Sequence, residues 1–182
     1  MKKILSVTLS LLMIFALCSV AFAAGTNPAK LAFHDDGTFK ILQINDTQDI
    51  DKMNKKTAEF LKAGIAQEQP DLIVVPGDML SDMFIGATPK RIKAALTVLG
   101  TIFNDAKVPF AVTFGNHDHD LEGKLSTTEM MEVFKQFEYC VSQAGTTEGD
   151  PGSYAVPVYS SKDSSKMALN VYMIDTNNKN GT

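Results

Sequence analysis

Three short polar clusters in this sequence combine residue types that hold metal ions. They are Asn45-Asp46-Thr47-Gln48-Asp49, Pro76-Gly77-Asp78-Met79-Leu80-Ser81-Asp82 and Gly115-Asn116-His117-Asp118-His119-Asp120. Carboxylates brought together without a cation repel one another, so Asp46 and Asp78 side by side would want a metal. Carboxylate oxygens, an asparagine carbonyl and an imidazole nitrogen form a donor set suited to Mn²⁺, Fe or Zn²⁺ rather than to a soft ion. Gly77 and Gly115 stand just before ligand candidates, where the lack of a Cβ lets the backbone turn sharply or approach a ligand closely. Any one cluster alone reads as a polar turn. The three together point to a metal-dependent site.

Each cluster follows a predicted strand. Phe39 to Ile44 alternates like a strand after the Asp36-Gly37 turn signal, and Lys30 to Phe33 offers a shorter one. Asp71 to Val75 is nearly all apolar and β-branched, the pattern of a strand buried on both faces of a parallel sheet. Phe110 to Phe114 is a third strand. Between them, Asn54 to Gln67 carries Ala58, Phe60, Leu61 and Ile65 at helical spacing, and Pro70 ends it. Thr88-Pro89 reads as an N-cap and first helical residue, opening a helix to about Asn104 that buries Ile92, Ala95, Leu96, Leu99, Ile102 and Phe103. Ser126 and Glu129 form a capping-box pattern for a helix through about Tyr139. Ser153 to Tyr159 and Met167 to Ile174 then alternate like the arms of a hairpin. The order is β-α-β-α-β-α-β-β, an α/β class with a parallel sheet. In such sheets sites form at the carboxyl ends of strands, so the three clusters converge on one edge.

Composition excludes several alternatives. The 182 residues carry 17 basic and 21 acidic side chains, with 45% hydrophobic residues, an ordinary globular balance and no basic excess for nucleic acid. No glycine-rich phosphate loop and no Gly-x-Ser-x-Gly elbow occurs. Residues 1–23 read as a signal peptide: Lys2 and Lys3, an apolar run from Ile4 to Val20, and Ala21-Phe22-Ala23, with cleavage after Ala23. An uncleaved anchor and a lipoprotein signal are the alternatives; no basic stop-transfer cluster follows, and Leu17 stands where a lipoprotein needs a small residue before Cys18. The expected product is exported (secreted, periplasmic or cell-wall associated), with one domain over 24–182 and no membrane span after cleavage. Only Cys140 remains in it, which precludes an internal disulfide and reads as a buried helical residue.

At the three clusters the sequence resembles the calcineurin-like metallophosphoesterases, and most nearly the branch of purple-acid-phosphatase-like and Dcr2-type enzymes. The resembling blocks are Leu31 to Gln43, Pro70 to Asp78, Phe114 to Asp118 and Val171 to Asp175. The resemblance implies the first half of that family's α/β/β/α sandwich. It also implies hydrolysis of phosphate mono- or diesters, by in-line attack of a metal-bound hydroxide between two divalent metal ions. By the same resemblance Asp46 ligates the first ion, Asp78 bridges both, and Asn116 binds the second. His117 contacts the phosphate and assists the leaving group, with Asp118 orienting it.

Two departures matter. Gln48 stands where the family has a histidine, and would ligate only through a neutral amide oxygen. The family's later histidine motifs are absent, since His34, His117 and His119 are the only histidines. The expectation is therefore the N-terminal portion of such a domain, with weak metal binding and little or no activity on its own. Ser81 provides no tyrosine ligand, so no purple Fe³⁺ chromophore is expected. The alternative is a non-catalytic secreted module that binds metal or a partner. A receiver-type domain fits less well, given the export signal and the Asn116-His117 pair. His34 is expected at the surface, His119 as a solvated loop residue, and Asp49 and Asp82 as solvated or supporting groups near the site.

Overall fold

The computed structural model describes residues 30–49, 52–81, 86–143, 145 and 150–177. Residues 1–23, read above as a signal peptide, and Asp82 lie outside these described residues. Among the described residues, two small sheets and four helices make up the architecture. β1 (Ile41–Gln43), β2 (Leu72–Val75) and β3 (Phe110–Val112) form a parallel sheet in the order β1-β2-β3. The register sets Leu42 beside Ile73 and Val74 beside Ala111. α1 (Lys55–Glu68) joins β1 to β2, and α2 (Pro89–Asp105) joins β2 to β3. After β3 come the single turn α3 (Asn116–His119) and then α4 (Thr127–Phe134). β4 (Tyr154–Tyr159) and β5 (Met167–Met173) pair as an antiparallel hairpin. The arrangement is the mixed α/β one expected, with the first three strands parallel.

All four residues of β2 are buried, as its apolar run requires of a central strand covered on both faces. α2 buries the six residues its periodicity predicts, and Phe103 meets Phe110 of β3 at 5.4 Å between ring centres. Full burial of side chains of this size contributes about 1.5–3 kcal/mol each. The hairpin adds Tyr154, Val156 and Val158, alternate residues of β4, to the same core. Tyr154 joins it to the parallel sheet, its hydroxyl donating to the Val112 carbonyl at 2.6 Å.

Both expected caps are present. Thr88 Oγ1 accepts from Arg91 N at 3.4 Å, and Ser126 and Glu129 exchange side-chain and backbone bonds reciprocally. Several expectations are corrected. Helix α4 stops at Phe134 rather than Tyr139, because Phe110 N donates to Tyr139 O and Val141 N to Phe110 O, drawing the chain out alongside β3. Cys140 is consequently half-buried in a strand-like bridge to Phe110, not on a helix. The segment from Lys30 to Phe33 makes a single bridge, Ala32 to Tyr159, instead of a full strand. Phe60 faces outward on α1, 76% exposed. Among the described residues, no helix is long and apolar enough to cross a membrane.

Candidate active site

The loops after β1 and β2 continue the parallel pairing past the strands. Asp46 N donates to Gly77 O at 3.3 Å, Gln48 N to Asp78 O at 3.0 Å and Asp49 N to Met79 O at 3.2 Å. Thr47 Oγ1 adds a bond to Met79 O at 2.9 Å. This zipper places Asp46 and Gln48 beside the Gly77-Asp78 turn. Asp46, Gln48 and Asp78 all adopt left-handed backbone angles, with φ of 53°, 40° and 51°. Non-glycine residues rarely do so, and such conformations gather where the surrounding structure fixes them for function.

The loop after β3 presses against the same turn. A Cβ on Gly77, whose φ is 119°, would lie 2.1 Å from Gly115 N. No residue but glycine fits there. His117 N donates to Asp78 Oδ1 at 3.0 Å, so the start of α3 is seated on the Asp78 carboxylate. Asn116, the first residue of α3, is exposed at the same edge, as are Asp46 and Gln48; Asp78 is half-buried.

Asp118 is fully buried beneath this junction. Its Oδ1 accepts from Met79 N at 3.1 Å and Leu80 N at 3.3 Å, and its Oδ2 from Gly115 N at 3.0 Å. One carboxylate thus ties the β2 loop to the β3 loop. Burial pushes its pKa up to about 6, against the lowering effect of those amide bonds and with a further upward push from Asp78. Where the resemblance has Asp118 orienting His117, the carboxylate beside His117 Nδ1 is that of Asp120, 3.5 Å away.

His119 is not the solvated residue expected. Its side chain is 8% exposed, and its Nε2 lies 2.8 Å from Oδ1 of Asp175, itself 1% exposed, just past β5. No local pattern in the sequence marks this pair, whose members are 56 residues apart. Asp49 is also buried, and its Oδ2 accepts from Asn54 N at 2.8 Å, anchoring the start of α1. His34 is exposed, as expected, and contacts Asp71 at 2.7 Å.

Among the described residues, the loops at the shared edge carry two carboxylates, Asp46 and Asp78, and two neutral amides, Gln48 and Asn116. Among the described residues no group of three or more His, Cys, Asp or Glu side chains is placed to hold a metal. Four oxygen donors suit one hard divalent ion completed by water.

Comparison with known proteins agrees with the geometry. The family profile described as calcineurin-like phosphoesterase matches residues 39–173. The chain is 32% identical over 157 residues to an Arabidopsis thaliana protein named probable inactive purple acid phosphatase 28, covering 71% of this chain and 38% of that one. It is 27% identical over 184 residues to probable inactive purple acid phosphatase 29 of the same plant, covering 88% and 46%. Phosphatase DCR2 of Saccharomyces cerevisiae is 25% identical over 173 residues, covering 83% and 29%. The chain spans less than half the length of each of these relatives.

Proposed function

The chain belongs to the calcineurin-like phosphoesterase family, and on that premise we propose that it is an exported, metal-dependent phosphoesterase acting on phosphate mono- or diesters. The carrying observation is the junction at Asp78. Its backbone is zipped to Gln48, its carboxylate receives His117 N, and Gly77 and Gly115 let the two loops touch. Three strand ends thereby present Asp46, Asp78, Asn116 and His117 at one edge.

In this reading Asp46, Asp78, Asn116 and, more weakly, Gln48 would hold a divalent ion. Such an ion supplies Lewis-acid polarisation of a phosphoryl oxygen and lowers the pKa of water. The chain's own part is to orient these donors through the loop zipper and to set the His117 imidazole at the rim, where it can give a proton to a leaving alkoxide. Asp120 lies 3.5 Å from His117 Nδ1, on the side of the ring that anchors it. With two carboxylates the ion binds weakly, and turnover by this chain alone is low.

A second reading, a non-catalytic secreted module that binds metal or a partner, draws support from Gln48, from the small number of carboxylates and from the printed names of the two plant relatives. One assay separates the readings. Aryl phosphate mono- and diesters are offered to the full chain with Mn²⁺, and metal binding is followed by calorimetry. Low turnover that His117→Ala reduces by about 100-fold or more supports the first reading. Binding without turnover supports the second, and neither binding nor turnover overturns both. Export is tested by sequencing the N-terminus of protein recovered outside the cell; a chain beginning at Ala24 is the expected result.

A further inference from the structure

Helix α3 has four residues and could not persist by itself, since a single turn lies far below the length at which isolated helices form. Its first residues are held by Asp78 and its third by the amides bound to Asp118. Its last residue, His119, reaches across to the exit of β5. There Nε2 meets Asp175 Oδ1 at 2.8 Å, while Nδ1 lies 3.2 Å from Glu122 Oε1. Both ring nitrogens therefore face carboxylate oxygens. A neutral imidazole has one N–H and would turn a lone pair toward one of them, whereas an imidazolium donates to both.

Asp175 deepens the dependence. Its Oδ1 also accepts from Asn177 N at 2.9 Å, but its Oδ2 is buried with no hydrogen-bond partner among the described residues. Gly152 packs so close that a Cβ there would lie 2.7 Å from that oxygen. A carboxylate so enclosed becomes an uncompensated buried charge once its cation is lost. The charged groups facing His119 are Asp175 from the β5 exit and Glu122 from the turn after α3; the β3 side presents the Phe114 ring, 6.4 Å away and nearly edge-on.

We propose that His119 is a pH-gated positioning residue: as an imidazolium it clamps α3, and with it Asn116 and His117, to the exit of β5, and its deprotonation releases that end of the turn. Burial works against the charged ring, but the hydrogen bond and charge of Asp175, with Glu122, outweigh it and raise the pKa above the ordinary 6.5. The clamp accordingly holds below that raised midpoint and lets go as pH climbs through it.

The test is an NMR pH titration of the isotope-labelled full chain, following the His119 ring and the backbone amides of Asn116 and His117. The expected result is a His119 midpoint above 6.5, with both amides shifting at that same midpoint. Asp175→Asn should lower the midpoint by about one pH unit or more and uncouple the amides from it. Should Asp175→Asn not fold, the surface variant Glu122→Gln supplies the same readout with a smaller displacement. A midpoint at or below 6.5, or amides that do not follow the ring, would overturn the proposal. No turnover is measured, so the phosphoesterase reading stands or falls separately.

Discussion

A Cβ built on Gly115 would sit 2.2 Å from Asp78 Oδ1 and 2.7 Å from Asp78 N. The β2 and β3 loops are thus in backbone contact at the Asp78 carboxylate, which also receives His117 N. Gly115→Ala should force the loops apart, at a cost of about 1–3 kcal/mol. Gly77→Ala should cost more, because φ at that position is also 119°. Urea denaturation measures both, and Mn²⁺ affinity should fall in parallel.

Asp118 gives a pH dependence whose sign is opposite to the usual carboxylate. Its pKa in the fold, about 6, lies above its ordinary value of 3.8. Its favourable contribution is complete below 3.8 and is lost as pH rises through about 6, a change of about 3 kcal/mol. Asp118→Asn removes that dependence. The penalty for the substitution should be largest in acid and shrink above pH about 6, as read from paired pH–stability curves.

His119→Gln should remove a contribution of the same direction in a different window. Because the folded pKa is raised, His119 stabilises fully below 6.5 and loses its effect as pH climbs through the folded value. Thermal melts of wild type and variant should differ in mild acid and converge in alkali.

Tyr154→Phe tests the docking of the hairpin. The hydroxyl donates to Val112 O at 2.6 Å and lies 2.9 Å from Ser142 Oγ, all buried. Its loss should cost about 1–2 kcal/mol in chemical denaturation.

Gln48→His should tighten binding of Mn²⁺ or Zn²⁺ in calorimetry while leaving stability unchanged or slightly higher. Histidine tolerates left-handed angles better than most residues, and φ here is 40°. Unchanged affinity would show that position 48 is not a ligand.

What the sequence made legible was local. The apolar run of β2, the six-residue stripe of α2 and the Ser126–Glu129 cap each follow from near-neighbour chemistry. So does the convergence of three polar clusters, which needs only alternating strands and helices. Contacts distant in the chain escaped it. Nothing in Asn-His-Asp-His predicts a helical turn, since α3 is held by Asp78, by the amides around Asp118 and by Asp175. The early end of α4 has the same origin, in the pairing of Tyr139 and Val141 with Phe110.

The left-handed backbone at Gln48 reaches beyond this one chain. Glutamine and histidine codons differ only in their third base, so one transversion exchanges the two. β-branched replacements meet steric resistance from the main chain whatever their side-chain chemistry. The loop therefore filters mutations by shape before selection on catalysis begins. An imidazole introduced by such a transversion would enter a conformation already suited to it.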